Sequence, residues 1–263
     1  MCGIAGYLGF KGNSAEQNDI LKRMTSAMIH RGPDDSGRWV DENAGVAFGH
    51  CRLSILDLSP QGHQPMLSAD GRYVIVFNGE IYNFQQIRKE LENMSVSPKW
   101  RGHSDTEVIL AAVCHWGIEE AVKRFVGMFA IALWDREERI LYLLRDRLGE
   151  KPLYYCWMNN VFIFGSELRA MRVHPAWGGE IDRDAVTLLL RHNYIPAPYS
   201  IYKDVHKLLP GAILTMPFRG NHKNASYTIK PYWSAKETAE KGVAEPFQGS
   251  QEEAIQQLDM LLR

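Results

Sequence analysis

The sequence lacks the features that define several large classes of protein. Its 263 residues carry 30 lysines and arginines against 31 aspartates and glutamates, so no basic excess exists to attract nucleic acid or an anionic membrane. No apolar run approaches the roughly 18 residues that a membrane-spanning helix needs, and no signal peptide is recognisable at the start. The sequence therefore predicts a cytoplasmic protein without nucleic-acid or membrane partners.

Cysteine is also scarce, and its spacing excludes two further kinds of site. The four cysteines are scattered along the chain, with no CxxC pair and no histidine spacing suited to zinc. Cysteines in a reducing compartment stay as free thiols. We therefore expect no disulfide and no metal site.

Hydrophobic patterning predicts an α+β fold. Asn13 precedes a segment whose apolar residues share one helical face, and residues 104–107 have the Ser-x-x-Glu pattern of a capping box. The apolar run at 73–77 and several short segments between 127 and 164 are typical of strands. Because strands dominate the middle and helices flank them, the sequence favours antiparallel sheets covered by helices over a βαβ repeat.

Composition divides the chain into three segments. Residues 2–216 carry the periodic patterns of one domain, whereas 217–249 are polar and lose periodicity, which is typical of a linker or meander. Residues 250–263 repeat the capping-box pattern and then show an apolar stripe with nothing downstream to cover it. This stripe predicts the start of a second, C-terminal domain that is cut short.

The residue after the initiator methionine is a cysteine. Removal of Met1 would leave Cys2 with both a thiol and a free α-amine, which titrate near about 8.5 and about 7.7–8.0 respectively, so the amine can take the thiol proton. The structural alternative is that Cys2 is only a small residue at the start of a buried strand.

A series of motifs, in order, resembles the class II glutamine amidotransferase domain of glutamine-hydrolysing asparagine synthetases. The Gly-Glu-Ile-Tyr-Asn run at 79–83 and the Arg-Gly-Pro-Asp run at 31–34 favour that branch over glucosamine-phosphate synthases. The resemblance covers roughly residues 2–216. The matching motifs lie at 2–6, 30–34, 52–55, 77–83, 104–107, 145–155 and 165–168.

The resemblance implies an N-terminal-nucleophile (Ntn) hydrolase fold, a four-layer αββα sandwich of two antiparallel sheets. It also implies hydrolysis of the glutamine side-chain amide to glutamate and ammonia through a thioester on Cys2. The ammonia would pass to an ATP-dependent synthetase domain, whose Ser-Gly-Gly-x-Asp-Ser loop this sequence lacks. ATP and Mg are therefore expected only for that missing ligase domain, with no cofactor for this one.

The resemblance also assigns the site. Glutamine would be recognised by both of its α-charges, and the tetrahedral intermediate would be stabilised by two hydrogen-bond donors. The assigned residues are Cys2 as nucleophile, the Asn78 side chain and Gly79 N–H as oxyanion donors, Arg52 for the carboxylate, Asp105 and Glu80 for the ammonium, and carbonyls near Leu53 and Ile55.

Each assignment has a structural alternative. Asn78-Gly79 is a common hairpin turn, Asp105 a helix cap, Arg52 an edge-strand charge that discourages aggregation, and Glu80 a solvated surface residue. We interpret residues 31–34 as a structural turn without a catalytic role, and the nearby histidines as structural, because the α-amine is the base.

The function also keeps alternatives. The same glutaminase would serve amination of another carboxylate, such as a sugar acid in polysaccharide synthesis, or the pocket would belong to a non-catalytic glutamine-binding scaffold. The expected partners are L-glutamine and the C-terminal synthetase domain, and the sequence leaves a homodimer open.

Overall fold

Two antiparallel sheets pack face to face in the structure, a computed structural model that describes residues 1–218 and 226–262. The strand that begins one residue after Cys2 lies near the centre of the first sheet. In spatial order the first sheet contains β10 (Val205–Lys207), β8 (Tyr154–Met158), β9 (Val161–Gly165), β1 (Gly3–Leu8), β3 (Val46–Arg52) and β2 (Asp35–Asp41).

The second sheet carries the strand that runs into the Asn78-Gly79 motif. Its spatial order is β12 (Thr228–Pro231), β11 (Ala212–Pro217), β7 (Ile140–Arg145), β6 (Gly127–Asp135), β5 (Tyr73–Ile81) and β4 (Met66–Leu67).

Helices cover the outer faces of both sheets. The helices are α1 (Ser14–Ser26), α2 (Phe84–Asn93), α3 (Asp105–Trp116), α4 (Ile118–Arg124), α5 (Leu168–Arg172), α6 (Arg183–His192), α7 (Ala235–Ala244) and α8 (Gln251–Leu262). The first sheet packs on α1 and α5, and the second on α2, α3 and α4. This arrangement confirms the four-layer αββα sandwich.

The two faces of each strand enter different cores. On β1, Ile4 and Leu8 belong to the core between the sheets, whereas Ala5 and Tyr7 pack under α1. Such alternation follows from the two-residue period of a strand. It fixes which side chains reach the space between the sheets.

Two predicted helix starts agree with the structure. The Asn13 side chain accepts a hydrogen bond from the backbone N–H of Glu16, and the Glu16 carboxylate accepts one from the backbone N–H of Asn13, so α1 begins with a complete capping box. Ser104 accepts from the N–H of Glu107 at 3.3 Å. The side chain of Glu107 instead accepts from the backbone N–H groups of Arg101 and Gly102.

The second sheet extends past the predicted domain boundary at residue 216. Strand β12 lies in the segment 217–249 that was predicted as a linker or meander, and it pairs with β11 from Thr228 to Pro231. Its side chains are mostly exposed, and only Ile229 packs against the core between the sheets, so the strand lacks the apolar alternation that sequence patterns detect. Helices α7 and α8 bury no residue. Residues 219–225 and 263 of these segments lie outside the described residues, and the division into domains stays a prediction.

Helix length was also compared with the thickness of a bilayer. Among residues 1–218 and 226–262, no helix is long and apolar enough to cross a membrane.

The core between the sheets offers a direct test of the packing. Trp134 is fully buried there, and its indole N–H has no hydrogen-bond partner within the described chain. We expect Trp134→Ala to lower the free energy of unfolding by about 3–5 kcal/mol, because a large side chain leaves a cavity. Trp134→Phe keeps most of the ring and removes an unpaired donor, so its loss is much smaller. Urea unfolding of both variants measures this, and equal losses would contradict the packing.

Candidate active site

Strand alternation brings three polar side chains to one end of the space between the sheets. Ile4 on β1, Phe48 on β3 and Val76 on β5 all belong to the inter-sheet core. Residues two or four positions away on the same strands, or just before them, face the same way. These residues are Cys2, Arg52 and Asn78.

The Cys2 thiol is half-buried and lies against the backbone of Leu53. Its Sγ donates to the carbonyl of Leu53 at 3.5 Å and accepts from its N–H at 3.4 Å. Burial raises the pKa of the Cys2 thiol, although the Leu53 N–H and the positive charges of the amino terminus and Arg52 oppose that rise. The sulfur is therefore protonated at neutral pH and needs a base to become a nucleophile.

Arg31 holds the backbone of Cys2, a contact that sequence reasoning missed. Its Nε donates to the Cys2 carbonyl at 2.9 Å, and its Nη1 donates to Glu167 at 3.0 Å. His30 also lies 3.0 Å from the same Glu167 oxygen. Burial opposes ionisation of Glu167, but hydrogen bonds from Arg31 and His30 hold its pKa below the usual range. Glu167 is thus an anionic anchor for the arginine that fixes Cys2.

The rest of the 31–34 motif shapes the end of β3. A side chain on Gly32 would collide with the backbone of Cys51 and Arg52, so only glycine fits there. The N–H of Asp34 donates to the Arg52 carbonyl at 3.1 Å, and its carboxylate accepts from the Ser54 N–H at 2.8 Å. These contacts are structural, as the sequence interpretation expected, but they position residues at the site.

The edge of β5 beyond β4 is exposed to the site. Strand β4 begins at Met66, which pairs with Ile75, so the N–H groups farther along β5 on that edge find side-chain partners. The N–H of Phe77 donates to Gln64 Oε1 at 2.6 Å, and that of Ile81 donates to Asp105 Oδ2 at 3.0 Å. Gly79 lies between them with the same orientation, because N–H direction alternates along a strand. Its N–H therefore points to the same edge, where Gly79 lines a pocket.

The Asn78-Gly79 pair is not a hairpin turn. Both residues continue the ladder with β6, opposite Ala130 and Phe129. A side chain on Gly79 would collide with the Met128 carbonyl, which explains the glycine. Asn78 is buried, and its Nδ2 has no hydrogen-bond partner among residues 1–218 and 226–262. Since buried donors are almost always paired, this amide fits an acceptor supplied by a ligand.

Arg52 is buried on an interior strand, which excludes the edge-strand alternative. Strand β3 lies between β1 and β2. The guanidinium donates from Nη1 to the Ser59 carbonyl at 3.0 Å and from Nη2 to the Asp57 carbonyl. A guanidinium carries five N–H donors, so within residues 1–218 and 226–262 three remain for a ligand.

Asp105 is the first residue of α3 rather than its cap. Ser104 fills the cap position, and the Asp105 carboxylate accepts from the N–H of Ile81 instead. Burial raises the pKa of Asp105 to about 6, the Ile81 hydrogen bond opposes this rise, and the negative charge of Glu80 adds to it. Asp105 is therefore a buried acceptor that would gain from a cationic ligand.

Most of the predicted site residues line one pocket. Its walls include Leu56 and Asp57 rather than Ile55, whose side chain is 56% exposed. Asn78 is not among the residues of its walls and lies buried one position before Gly79. The predicted residues that line the pocket are Cys2, Arg52, Leu53, Gly79, Glu80 and Asp105.

A cavity of about 260 Å³ lies elsewhere, between α3 and residues 68–70 and 96–101. It contains the Cys114 thiol, whose pKa burial raises to about 11. The cavity shares no residue with the pocket at Cys2.

The fold and this site define a class of protein. The four-layer αββα sandwich is the fold of the N-terminal-nucleophile hydrolases, and Cys2 lies at the start of a central strand beside an open strand edge. The family model described as glutamine amidotransferase domain matches residues 1–233, and the chain belongs to that family.

Relatives with known names agree with the family. The chain is 37% identical over 237 residues to asparagine synthetase [glutamine-hydrolyzing] 1 of Bacillus subtilis, covering 89% of this chain and 36% of the relative. It is 35% identical over 244 residues to asparagine synthetase [glutamine-hydrolyzing] 3 of the same organism, covering 90% and 37%. The chain thus spans little more than a third of the length of these relatives.

A solved structure supports the fold alone. Glutamine phosphoribosylpyrophosphate amidotransferase from B. subtilis matches with a TM-score of 0.63 at 18% identity. The match covers 88% of this chain and 49% of that one.

The contacts of Arg31 predict an unequal effect of two arginine substitutions. We expect Arg31→Leu to lower the free energy of unfolding by about 1.5–3 kcal/mol, because charged hydrogen bonds at a buried position are lost. Arg23→Leu is the matched control, since it breaks only an exposed pair with Asp19 and costs at most about 0.5 kcal/mol. Urea unfolding of both variants checks this, and similar losses would remove Arg31 as an anchor of Cys2.

Proposed function

We propose that this chain hydrolyses the side-chain amide of free L-glutamine to glutamate and ammonia. The observation that carries the proposal is the shared pocket of the Cys2 thiol and the edge of β5 at Gly79, with one positive and three negative side chains around it. Membership of the glutamine amidotransferase family supports the same substrate.

The chemistry begins with removal of Met1, whose side chain is exposed in the structure. The freed α-amine of Cys2 takes the thiol proton, and the sulfur attacks the amide carbon of glutamine. The oxyanion accepts hydrogen bonds from Asn78 Nδ2 and the Gly79 N–H, each worth about 3–4 kcal/mol in such sites. The ammonium of Cys2 returns its proton to the leaving nitrogen. Water then hydrolyses the thioester, which releases glutamate and restores the thiol.

Selection of free glutamine follows from the charges of the pocket. Arg52 has three unused N–H donors for the α-carboxylate. Asp105 and Glu80 provide acceptors for the α-ammonium, and Leu53 lines the same pocket. A glutamine within a peptide has neither α-charge, so it would leave these groups unpaired.

The fate of the ammonia is a wider proposal that concerns the full-length protein. The relatives named as asparagine synthetases favour a C-terminal synthetase domain that uses ATP and Mg to make asparagine. Amination of another carboxylate uses the same glutaminase chemistry. The cytoplasmic location and a homodimer stay predictions.

A coupled assay for glutamate tests the proposal. Protein whose Met1 removal has been confirmed by mass spectrometry should release glutamate from glutamine. Cys2→Ala should abolish release but still bind glutamine in calorimetry, because the α-charges are held by other residues.

Protein that retains Met1 should be inactive, since its Cys2 nitrogen is an amide. Full activity with Met1 retained would refute the amine as base, and no turnover by processed protein would favour a non-catalytic glutamine-binding scaffold.

The raised pKa of Asp105 predicts a pH dependence of glutamine binding. Only the ionised carboxylate pairs with the ammonium, so the Kd should rise as the pH falls through about 6. One pH unit below the pKa corresponds to about tenfold weaker binding. Calorimetry on Cys2→Ala measures this without turnover. In Asp105→Asn the Kd should be higher and flat over this range, and an unchanged pH profile there would exclude Asp105 as the titrating group.

A further inference from the structure

Two buried side chains bind the backbone of one residue, Phe77, beside the proposed oxyanion donors. The backbone N–H of Phe77 donates to Gln64 Oε1 at 2.6 Å, and the Phe77 carbonyl lies 3.0 Å from His50 Nε2. Because a carbonyl only accepts, His50 Nε2 carries the hydrogen and donates it. Phe77 immediately precedes Asn78, so these bonds fix the backbone from which both donors project.

The side-chain amide of Gln64 replaces the backbone partner that Phe77 would have if β4 were longer. Met66 pairs with Ile75 in the short β4–β5 ladder, so continuing that register would put the backbone of Gln64 opposite Phe77. The backbone of Gln64 instead packs against Gly37 of β2, where a side chain would collide with the Gln64 carbonyl. Its side-chain amide reaches back to the edge of β5. Its Nε2 also donates to Thr106 Oγ1 at 3.3 Å, which ties the same edge to the first turn of α3.

His50 joins the two sheets at this point. It lies on β3 of the first sheet with no exposed surface, and its acceptor belongs to β5 of the second sheet. Burial lowers the pKa of His50 to about 4, so the ring is neutral at physiological pH and keeps a single N–H for Phe77. The histidine therefore sets a distance between the sheet that carries Cys2 and the strand that carries the donors.

We propose that Gln64 and His50 are positioning residues for the oxyanion hole of the glutaminase site. They anchor Phe77 on one side of Gly79, and Asp105 anchors Ile81 on the other, so the Gly79 N–H stays aimed into the pocket. His50 is not among the wall residues of the pocket, and Gln64 lines it as an uncharged amide bonded to the edge of β5. The proposal rests on the glutaminase function and adds to it the groups that align the donors.

The test separates alignment of the donors from substrate binding. Gln64→Met and His50→Leu should lower kcat for glutamine hydrolysis by about 10–100-fold, because small displacements of oxyanion donors are costly. The KM for glutamine should change by no more than about twofold, since the loss falls on the transition state. His50→Gln keeps a donor near the position of Nε2 and should recover much of the rate. Thr106→Val removes only the acceptor of Gln64 Nε2, so it should lower kcat less. This variant replaces the others in the test if they do not fold.

An aldehyde analogue gives a second readout. In glutamate γ-semialdehyde, the Cys2 sulfur adds to the aldehyde carbon and the thiol proton ends on the oxygen, which forms a tetrahedral adduct in the hole. Across the variants, the inhibition constant of the aldehyde should rise in parallel with the fall in kcat, as expected for a transition-state analogue. Alkylation of Cys2 by iodoacetamide forms no oxyanion. The rate of alkylation should therefore be the same in these variants as in the wild-type protein.

Gln17→Met is the matched control. Gln17 is fully buried and donates to the Gly12 carbonyl, so its loss removes a buried amide contact at the far end of β1. It should lower stability without lowering kcat. Unchanged kcat and aldehyde inhibition in folded Gln64→Met and His50→Leu, or an equal fall in Gln17→Met, would overturn the positioning role alone. No turnover by the processed wild-type protein would overturn the glutaminase function and this inference together.

Discussion

The site depends on the shortness of one strand. Strand β4 pairs with only two residues of β5, although β5 continues to Ile81 in its ladder with β6. A buried strand edge with unpaired N–H groups is costly, so each group needs a partner. Side chains supply partners for Phe77 and Ile81, and the group between them is left facing a pocket. The proposed oxyanion donor is thus a backbone N–H without a strand partner. The hydrogen bonds of the N–H groups on either side of it hold it in place.

The electrostatics of the pocket follow the same logic. Burial makes ionisation of Cys2 and of Asp105 unfavourable, while Arg52 is always charged. A zwitterionic ligand brings one charge for the arginine and one for the aspartate, so it relieves both costs of burial together. A ligand with a single α-charge would leave one of them uncompensated. Selection of a free amino acid therefore follows from desolvation as well as from contact geometry.

Sequence patterns predicted features whose cause is local. The helix start at Asn13 and the strand at 73–77 depend on neighbouring residues, and both agree with the structure. Contacts between distant segments were missed. Arg31 meets Glu167 across more than a hundred residues, and nothing in the spacing of either motif indicates that contact. Strand β12 lies in a segment predicted as a linker because that segment is polar and lacks periodicity, whereas its pairing with β11 depends on backbone groups that no sequence pattern shows. The Asn-Gly pair suits a hairpin, but the ladder with β6 overrides that local preference.

The proposed nucleophile and the proposed oxyanion donors lie on different sheets, so the core between the sheets sets the distance between them. The nucleophile is fixed within the first sheet, where Ser166 exchanges two hydrogen bonds with Ile4 and Arg31 holds the Cys2 carbonyl. The oxyanion donors belong to the second sheet. Their separation from the sulfur is therefore set by the aromatic and aliphatic side chains between the sheets. Since close-packed cores transmit volume changes, a substitution at Phe48 would alter the reaction geometry without touching the substrate.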